Sequence, residues 1–467
     1  MKGWRMWQVG RVAVITPLVS LLFCVGQGWM PSDAVAQTVS ATAMQTAAVD
    51  ASAVSTAVPD AVAPEAGRGL ASASSVSAEL AAALAGEHVT GVQPAWQALA
   101  PRPPELAARA WLLLDLSSGQ TLAASNADQA LPPASLAKLM TAYLVFEALR
   151  DGHLSLDQTL PVSERARRQP GSRMFLEAGM RVAVEDLIKG LLVQSGNDGA
   201  LALAEGVAGS MESFVQRMND KAQAFGLQAT HFANPTGLPA QGQQSTARDL
   251  GLLAQRLLRD FPEHAHFYGI RKYRYAGTPP ANDSNRNLLL FRDPSVDGMK
   301  TGHVEAVGYS VVATAQREFP HLGMAGASGP RRLLAVVLGS SSEQARAAEA
   351  QRLLNWGYTA FEAVKLFEAN QAVLTAAIWK GRTAEVRLGR PQAIVVTVPA
   401  GLGMQLRMDV LRVEPLVAPL RQGQVAGLLR IREGERTLFE VPLLALDEVS
   451  EAGLIGQAWD ALRLWLQ

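Results

Sequence analysis

The chain has 467 residues, enough for two or three domains, and 48% of them are hydrophobic, enough for real cores. Its 42 Lys and Arg residues balance 42 Asp and Glu, so the formal net charge is zero and no basic excess points to a nucleic-acid partner. One cysteine, Cys24, is too few for a disulfide framework.

The N-terminus carries Lys2, Arg5 and Arg11, then the apolar run Val12 to Val25 and small residues ending Ala34-Val35-Ala36. Residues 1–36 therefore read as a secretory signal peptide with an A-x-A cleavage site. The alternative, an uncleaved anchor, is disfavoured because the apolar run is short for a membrane span. Cleavage after Ala36 removes three positive charges and one negative, leaving a mature net charge of −2. It also removes Cys24, so no disulfide or thiolate metal site is expected. Residues 37–104 are rich in Ala, Ser, Val and Thr and lack a steady period, which reads as a flexible tether, with Val76–Ala85 as a short candidate helix.

Residues 105–361 read as one α+β domain. It opens with a hairpin, Trp111–Leu116, a Ser-Ser-Gly-Gln turn, then Thr121–Ala124. Next come Pro132 and Pro133, which cannot sit in a helix interior, and an apolar run to Leu149 with Leu136, Leu139, Met140, Tyr143 and Leu144 at helical spacing. The run is apolar nearly all round, so it reads as a helix buried in mid-domain. Ser135 and Lys138 stand at its start, three positions apart and on one face. Burial lowers a lysine's pKa, and such a lysine can take a proton from a serine and make it a nucleophile. The bland reading is a serine N-cap followed by a surface lysine.

A polar loop follows, Pro161 to Gly179, then helices over Val184–Gln194, Asp198–Ala208, Ser213–Phe225 and Thr246–Asp260. Strands are expected at Arg271–Tyr275, Tyr309–Gln316 and Arg332–Leu338, and a closing helix at Ser342–Tyr358. Strands at both ends with helices between imply one sheet built from both ends of the domain. From 362 to 448 the segments Thr383–Leu388, Ala393–Val398, Leu406–Val413, Val425–Arg432 and Leu438–Leu443 read as a small all-β domain. Residues 449–467 read as an amphipathic helix, with Leu454, Ile455, Trp459, Leu462, Trp465 and Leu466 largely on one face.

Three short stretches carry the chemistry. Ser135-Leu-Ala-Lys138, Ser195-Gly-Asn197 and Lys300-Thr301-Gly302 give S-x-x-K, S-x-N and K-T-G in that order. Each alone matches by chance: a cap, a turn, a loop entering a strand. The trio together is far more specific. With Gly171-Ser-Arg-Met-Phe-Leu-Glu-Ala-Gly179, His231-Phe-Ala-Asn-Pro-Thr-Gly-Leu238, Asn285-Arg-Asn287 and Val296–His303, the chain resembles the low-molecular-mass penicillin-binding proteins that are D-alanyl-D-alanine carboxypeptidases, the S11 serine peptidases. The middle motif is S-G-N, as in that family, rather than the S-D-N of class A β-lactamases.

That resemblance implies a transpeptidase-like domain, an antiparallel sheet flanked by helices, followed by the β domain and a membrane-associating helix. It implies a serine-type carboxypeptidase that trims terminal D-alanine from peptidoglycan stem peptides and is acylated by β-lactams, in the periplasm on the outer face of the inner membrane. Ser135 would attack, Lys138 would be its general base, and Ser195 would relay a proton to the leaving D-alanine. Asn197 would hold Lys138 and the substrate amide. Lys300 and Thr301 would receive the terminal carboxylate, and Gly302 would let the substrate backbone lie along a strand edge. The backbone N–H groups of Ser135 and His303 would form the oxyanion hole. Arg286 is either a helper for the carboxylate or an ordinary surface ion pair. His264-Ala-His266 has no further ligand pattern around it, so no metal and no cofactor is expected. There is no G-x-S-x-G elbow for a Ser-His-Asp reading. The rival readings are a D,D-endopeptidase, a weak β-lactamase, or a catalytically silent wall-binding protein.

Overall fold

The computed structural model describes residues 99–319, 329–412 and 415–453. The expected signal peptide, nearly all of the expected tether with its candidate helix, and residues 454–467 of the expected C-terminal helix lie outside these residues. Residues 449–453, expected to begin that helix, are instead extended chain, with Val449 bridged to Leu420 and Glu451 to Gly381 of the β domain.

A five-stranded antiparallel sheet forms the first domain's spine, in the order β2-β1-β7-β6-β5. Strands β1 (Ala110–Asp115) and β2 (Gln120–Ser125) come from the start of the domain. Strands β5 (Val296–Val304), β6 (Gly308–Phe319) and β7 (Gly329–Ser340) come from its end. Between them lie α1 (Lys138–Arg150), the short pair β3 (Thr159–Pro161) and β4 (Arg181–Ala183), and α2 (Glu164–Arg167). Then follow α3 (Val184–Leu192), α4 (Asn197–Ala208), α5 (Met211–Ala224), α6 (Ala247–Asp260) and α7 (Leu289–Arg292). Helix α8 (Glu343–Ala360) closes the domain.

Strand periodicity sorts the core. In β1, Leu112 and Leu114 join the buried cluster of the helical layer, whereas Trp111 and Leu113 join the cluster under α8. In β7, Leu334, Val336 and Leu338 go one way and Leu333, Ala335 and Val337 the other. Both faces are covered, which is why these strands read as continuous apolar runs rather than alternating ones. Side-chain caps fix several helix starts: Ser210, Thr246 and Ser342 each accept a backbone N–H three residues on.

The expected strand at Arg271–Tyr275 is not one. Those residues run as irregular chain with a single bridge, Lys272 to Ser284. The apolar–polar alternation there comes from Tyr273 and Tyr275 packing against the helical core from a loop. The loop Pro161–Gly179 is more structured than its polarity implied, because β3 and β4 pair across its base.

The chain passes from α8 straight into β8 (Phe361–Phe367). The second domain adds β9 (Ala372–Ala377), β10 (Glu385–Gly389), β11 (Ile394–Pro399), β12 (Leu406–Arg412), β13 (Val425–Glu433) and β14 (Arg436–Ala445). They form a five-stranded sheet, β12-β13-β14-β10-β9, and a two-stranded one, β11-β8. The domain junction is polar and buried. Arg331 donates to Asp115 at 2.8 Å and to the Phe361 carbonyl at 2.8 Å, and both charged side chains are 0% exposed. Thr397 Oγ1 donates to the same Asp115 carboxylate at 2.8 Å. Gln120 clasps Thr397 by both its N–H and its carbonyl, at 2.6 and 3.0 Å.

Candidate active site

The two prolines end extended chain, and a 3-10 turn, Ala134–Ala137, leads into α1. Ala134 holds a positive φ of 50°, an uncommon conformation for a residue with a Cβ, immediately before Ser135. The turn is possible because Gly237 packs directly on Ala134: a Cβ at 237 would stand 1.8 Å from the Ala134 carbonyl oxygen. Lys138 is 0% exposed, buried on a helix that is apolar on nearly every side. Its Nζ lies 3.2 Å from Ser135 Oγ, 2.7 Å from Asn197 Oδ1 and 2.5 Å from the Thr236 carbonyl oxygen. Burial, reinforced by the nearby positive Arg286 and opposed by Asp198, pushes its pKa down to about 7. The surface-lysine reading is thereby excluded, and Ser135 makes no side-chain cap.

Asn197 begins α4. Its Oδ1 accepts from Lys138, and its Nδ2 donates to the Pro170 carbonyl at 2.6 Å. The Pro170 carbonyl is the acceptor that Nδ2 has among the described residues, and it takes one of the two Nδ2 hydrogens. Ser195, two residues earlier, has a φ of 62° and a buried Oγ with no hydrogen-bond partner.

Lys300, Thr301, Gly302 and His303 all lie within β5, the outer strand of the sheet, rather than in a loop before a strand. Gly302 faces the turn that carries Ser135. A Cβ there would meet the Pro133 carbonyl oxygen at 3.2 Å and the Ser135 backbone nitrogen at 3.3 Å. Glycine is needed first for this approach of strand to turn. The His303 ring is exposed and stacks on Tyr309, with ring centroids 4.1 Å apart.

Comparison with known proteins decides the family. Residues 97–340 match the model of the D-alanyl-D-alanine carboxypeptidase family, and residues 361–451 match the C-terminal domain of penicillin-binding protein 5. The chain belongs to the D-alanyl-D-alanine carboxypeptidase family. It is 40% identical over 365 residues to the D-alanyl-D-alanine carboxypeptidase DacC of Escherichia coli, covering 76% of this chain and 88% of that one. It is 35% identical over 372 residues to DacA of the same organism, covering 78% and 89%. The crystal structure of penicillin binding protein 5 from Haemophilus influenzae superposes with a TM-score of 0.69 at 34% identity, covering 75% of this chain and all of that one.

In this carboxypeptidase-family site the cations outnumber the anions. Lys300 is 2% exposed, and its Nζ donates to the Thr301 carbonyl at 3.0 Å. Burial first, then the positive charges of Lys138, Arg286 and Arg346, hold its pKa well below the usual lysine range. A carboxylate arriving beside it would relieve that repulsion. Arg286 has no carboxylate within 4 Å among the described residues; it donates to Asn282 Oδ1 at 3.3 Å, and its field reaches Lys138 and Lys300. It belongs to the site's cationic cluster rather than to a surface ion pair. Sequence reading missed Arg346. It is 3% exposed, donates to the Arg286 carbonyl at 2.8 Å, and burial lowers its pKa to about 10. A signal was present: Arg346 shares the buried side of α8 with Ala350, Leu353 and Leu354, and a charge in an apolar stripe calls for a reason. His264 and His266 are placed elsewhere, His264 stacked on the Phe146 ring at 4.5 Å.

Proposed function

We propose that this chain is a penicillin-sensitive serine D-Ala-D-Ala carboxypeptidase that removes the terminal D-alanine from peptidoglycan stem peptides through a Ser135 acyl-enzyme. The observation that carries the reading is the coordination of Lys138. Asn197 Oδ1 and the Thr236 carbonyl accept two hydrogens of a neutral amine, which turns the Nζ lone pair toward Ser135 Oγ at 3.2 Å. An amine with a pKa of about 7 is half free of its third proton near neutrality.

In that reaction Ser135 Oγ bonds to the scissile carbonyl carbon while its proton passes to Lys138 Nζ. The Ser135 and His303 backbone N–H groups receive the oxyanion. Collapse expels D-alanine, whose amine takes a proton by way of Ser195; water then releases the shortened peptide by the same route. Lys300 and Thr301, backed by Arg286 and Arg346, receive the substrate's terminal carboxylate, and the edge of β5 receives its backbone. That demand for a terminal carboxylate favours trimming a pentapeptide over cutting a cross-link. The experiment is product analysis on a pentapeptide and on a cross-linked dimer. D-Alanine released from the first with the second left intact supports the assignment; dimer cleavage at an equal or greater rate replaces it with an endopeptidase.

The N-terminal pattern supports a periplasmic location. The apolar residues of the C-terminal sequence Leu454–Gln467 recur at the spacing of an amphipathic helix, with Trp459 and Trp465 suited to an interface, and such a helix would hold the enzyme to the outer face of the inner membrane. Among the described residues no helix is long and apolar enough to cross a membrane. Deleting Leu454–Gln467 should move the mature enzyme from the liposome pellet to the supernatant; an intact form that stays in the supernatant refutes attachment.

A further inference from the structure

Asp198 follows the catalytic-site Asn197 and is wholly buried. Its Oδ1 accepts the N–H groups of Met174 at 2.8 Å and Gly199 at 2.9 Å, and its Oδ2 accepts that of Leu176 at 3.1 Å. No Lys, Arg or His nitrogen of the described residues stands within 4 Å, and the carboxyl group's hydrogen-bond partners are three backbone N–H groups. The neighbouring bonds run the same way. Asn197 N–H donates to the Ser172 carbonyl at 2.7 Å, and Asn197 Nδ2 to Pro170. Residues 197 and 198 thus fasten the segment Pro170–Leu176 to the first turn of α4. Met174 fits there only because Gly190, Gly196 and Gly199 have no side chains.

We propose that Asp198 is a positioning residue of the reaction: it fixes Asn197 against the Pro170–Leu176 wall and supplies the counter-charge for the ammonium that Lys138 becomes. This rests on the Ser135–Lys138 reaction above. When Ser135 Oγ bonds to carbon, the Oγ–H bond breaks, the proton joins the Nζ lone pair, and the carbonyl electron pair moves to oxygen. The new ammonium forms in a crowd of cations. Around it stand Ser135 from its own turn, Asn197 and Asp198 from α4, the Thr236 carbonyl, Arg286 and, on β5, Lys300 with Arg346 behind it. Glu343 stands 4.0 Å from Arg346, and Asp198 is the anion whose field reaches Lys138. When the ammonium returns its proton to the leaving amine, the balance is restored.

The test compares the pH dependence of acylation by a fluorescent penicillin in wild type, Asp198→Asn and Asp198→Glu. Asparagine keeps the shape and the Oδ1 acceptor but loses the charge and the acceptor for the Leu176 N–H; glutamate keeps the charge and disturbs the shape. Asp198→Asn should move the acid limb, expected near pH 7 in wild type, down by about one unit and cut the plateau about tenfold, one unit of lost proton affinity being a factor of ten. Asp198→Glu should leave the limb in place even if its plateau falls. A limb unmoved in Asp198→Asn, or moved equally in both, makes the residue merely structural and overturns the proposal. Should Asp198→Asn fail to fold, carboxyl-carbon NMR of wild type decides: an aspartate resonance must respond to the Lys138 titration and lose that inflection in Lys138→Met. No responding resonance overturns the proposal equally. Failure of wild type to label at Ser135 would instead sink the reaction itself.

Discussion

Replacing Lys138 by Met tests whether a buried neutral amine is built into the fold. Burial holds the Lys138 pKa at about 7, against 10.5 for the free side chain. Between those values the unfolded chain binds a proton that the folded protein refuses. Stability from this group therefore rises with pH from about 7 to 10.5, and below about 7 the whole penalty is present. At about 1.4 kcal/mol per unit the penalty is roughly 5 kcal/mol, of which roughly 2–3 kcal/mol is recovered between about pH 6 and about pH 9. Methionine matches the length without the charge. It also leaves Asn197 Oδ1 and the Thr236 carbonyl without the Nζ donor, at about 1–3 kcal/mol each. These losses offset the gain, so the variant's overall stability should lie near that of wild type, and the pH slope carries the signal. Urea midpoints measured at three pH values across that range should show wild type gaining on Lys138→Met by roughly 2–3 kcal/mol toward the alkaline end. Lys300 is depressed in the same direction in both proteins, so the difference isolates Lys138 and its coupling to Lys300. Parallel slopes in the two proteins would refute the reasoning.

Ser135→Ala should abolish both peptide turnover and penicillin labelling with the melting curve little changed; labelling at another serine would end the assignment. Lys138→Arg should stop acylation, because guanidinium does not give up its proton at these pH values; near-normal acylation rates would remove Lys138 as the base. Gly237→Ala should cost more than about 2 kcal/mol by urea unfolding, since the new Cβ meets the Ala134 carbonyl oxygen at 1.8 Å and the residue has a φ of 82°. Asp115→Ala should destabilise by about 3–5 kcal/mol, because it strands the buried Arg331 guanidinium at the domain junction. A loss under about 1 kcal/mol there would mean that the junction relaxes and admits water.

The parts of this fold that were legible in the sequence are those with a period or a cap. Helices α3 to α6 and α8 declared themselves by apolar spacing, and Thr246 and Ser342 mark two of their starts. The strands β6 and β7 were visible as apolar runs, because both faces of the sheet are covered. Strand β5 was not visible as a strand. It carries Gly298 and Gly302, set by close contacts with Tyr268 and Thr314 and with the Pro133–Ser135 turn rather than by strand propensity, and the polar Lys300 and His303 beside them. Strands β8 and β9 were missed for another reason: β8 continues from α8 with no turn residues between them. Arg271–Tyr275 erred the other way, since two tyrosines two apart mimic a strand while packing from a loop.

The site divides along the same line. Ser135, Lys138, Ser195, Asn197 and Lys300 could be named because short motifs place them, but their state could not. What sets the state lies far along the chain: the Thr236 carbonyl on Lys138, Gly237 beneath Ala134, Arg346 behind Arg286, and Asp198 opposing them. Two residues with a Cβ adopt positive φ at the serines assigned to the chemistry: Ala134, immediately before Ser135, and Ser195 itself. Such conformations cost of order 1–3 kcal/mol each and persist only where packing over-determines them. Here the over-determination is identifiable: Gly237 against Ala134 on one side, and on the other the Asp198 clamp that seats Met174 against Gly196. The strained backbone and the cationic cluster are both supported by groups that no catalytic motif contains. Substitutions at those supports should therefore slow acylation, about tenfold for Asp198→Asn, while all three motifs remain intact.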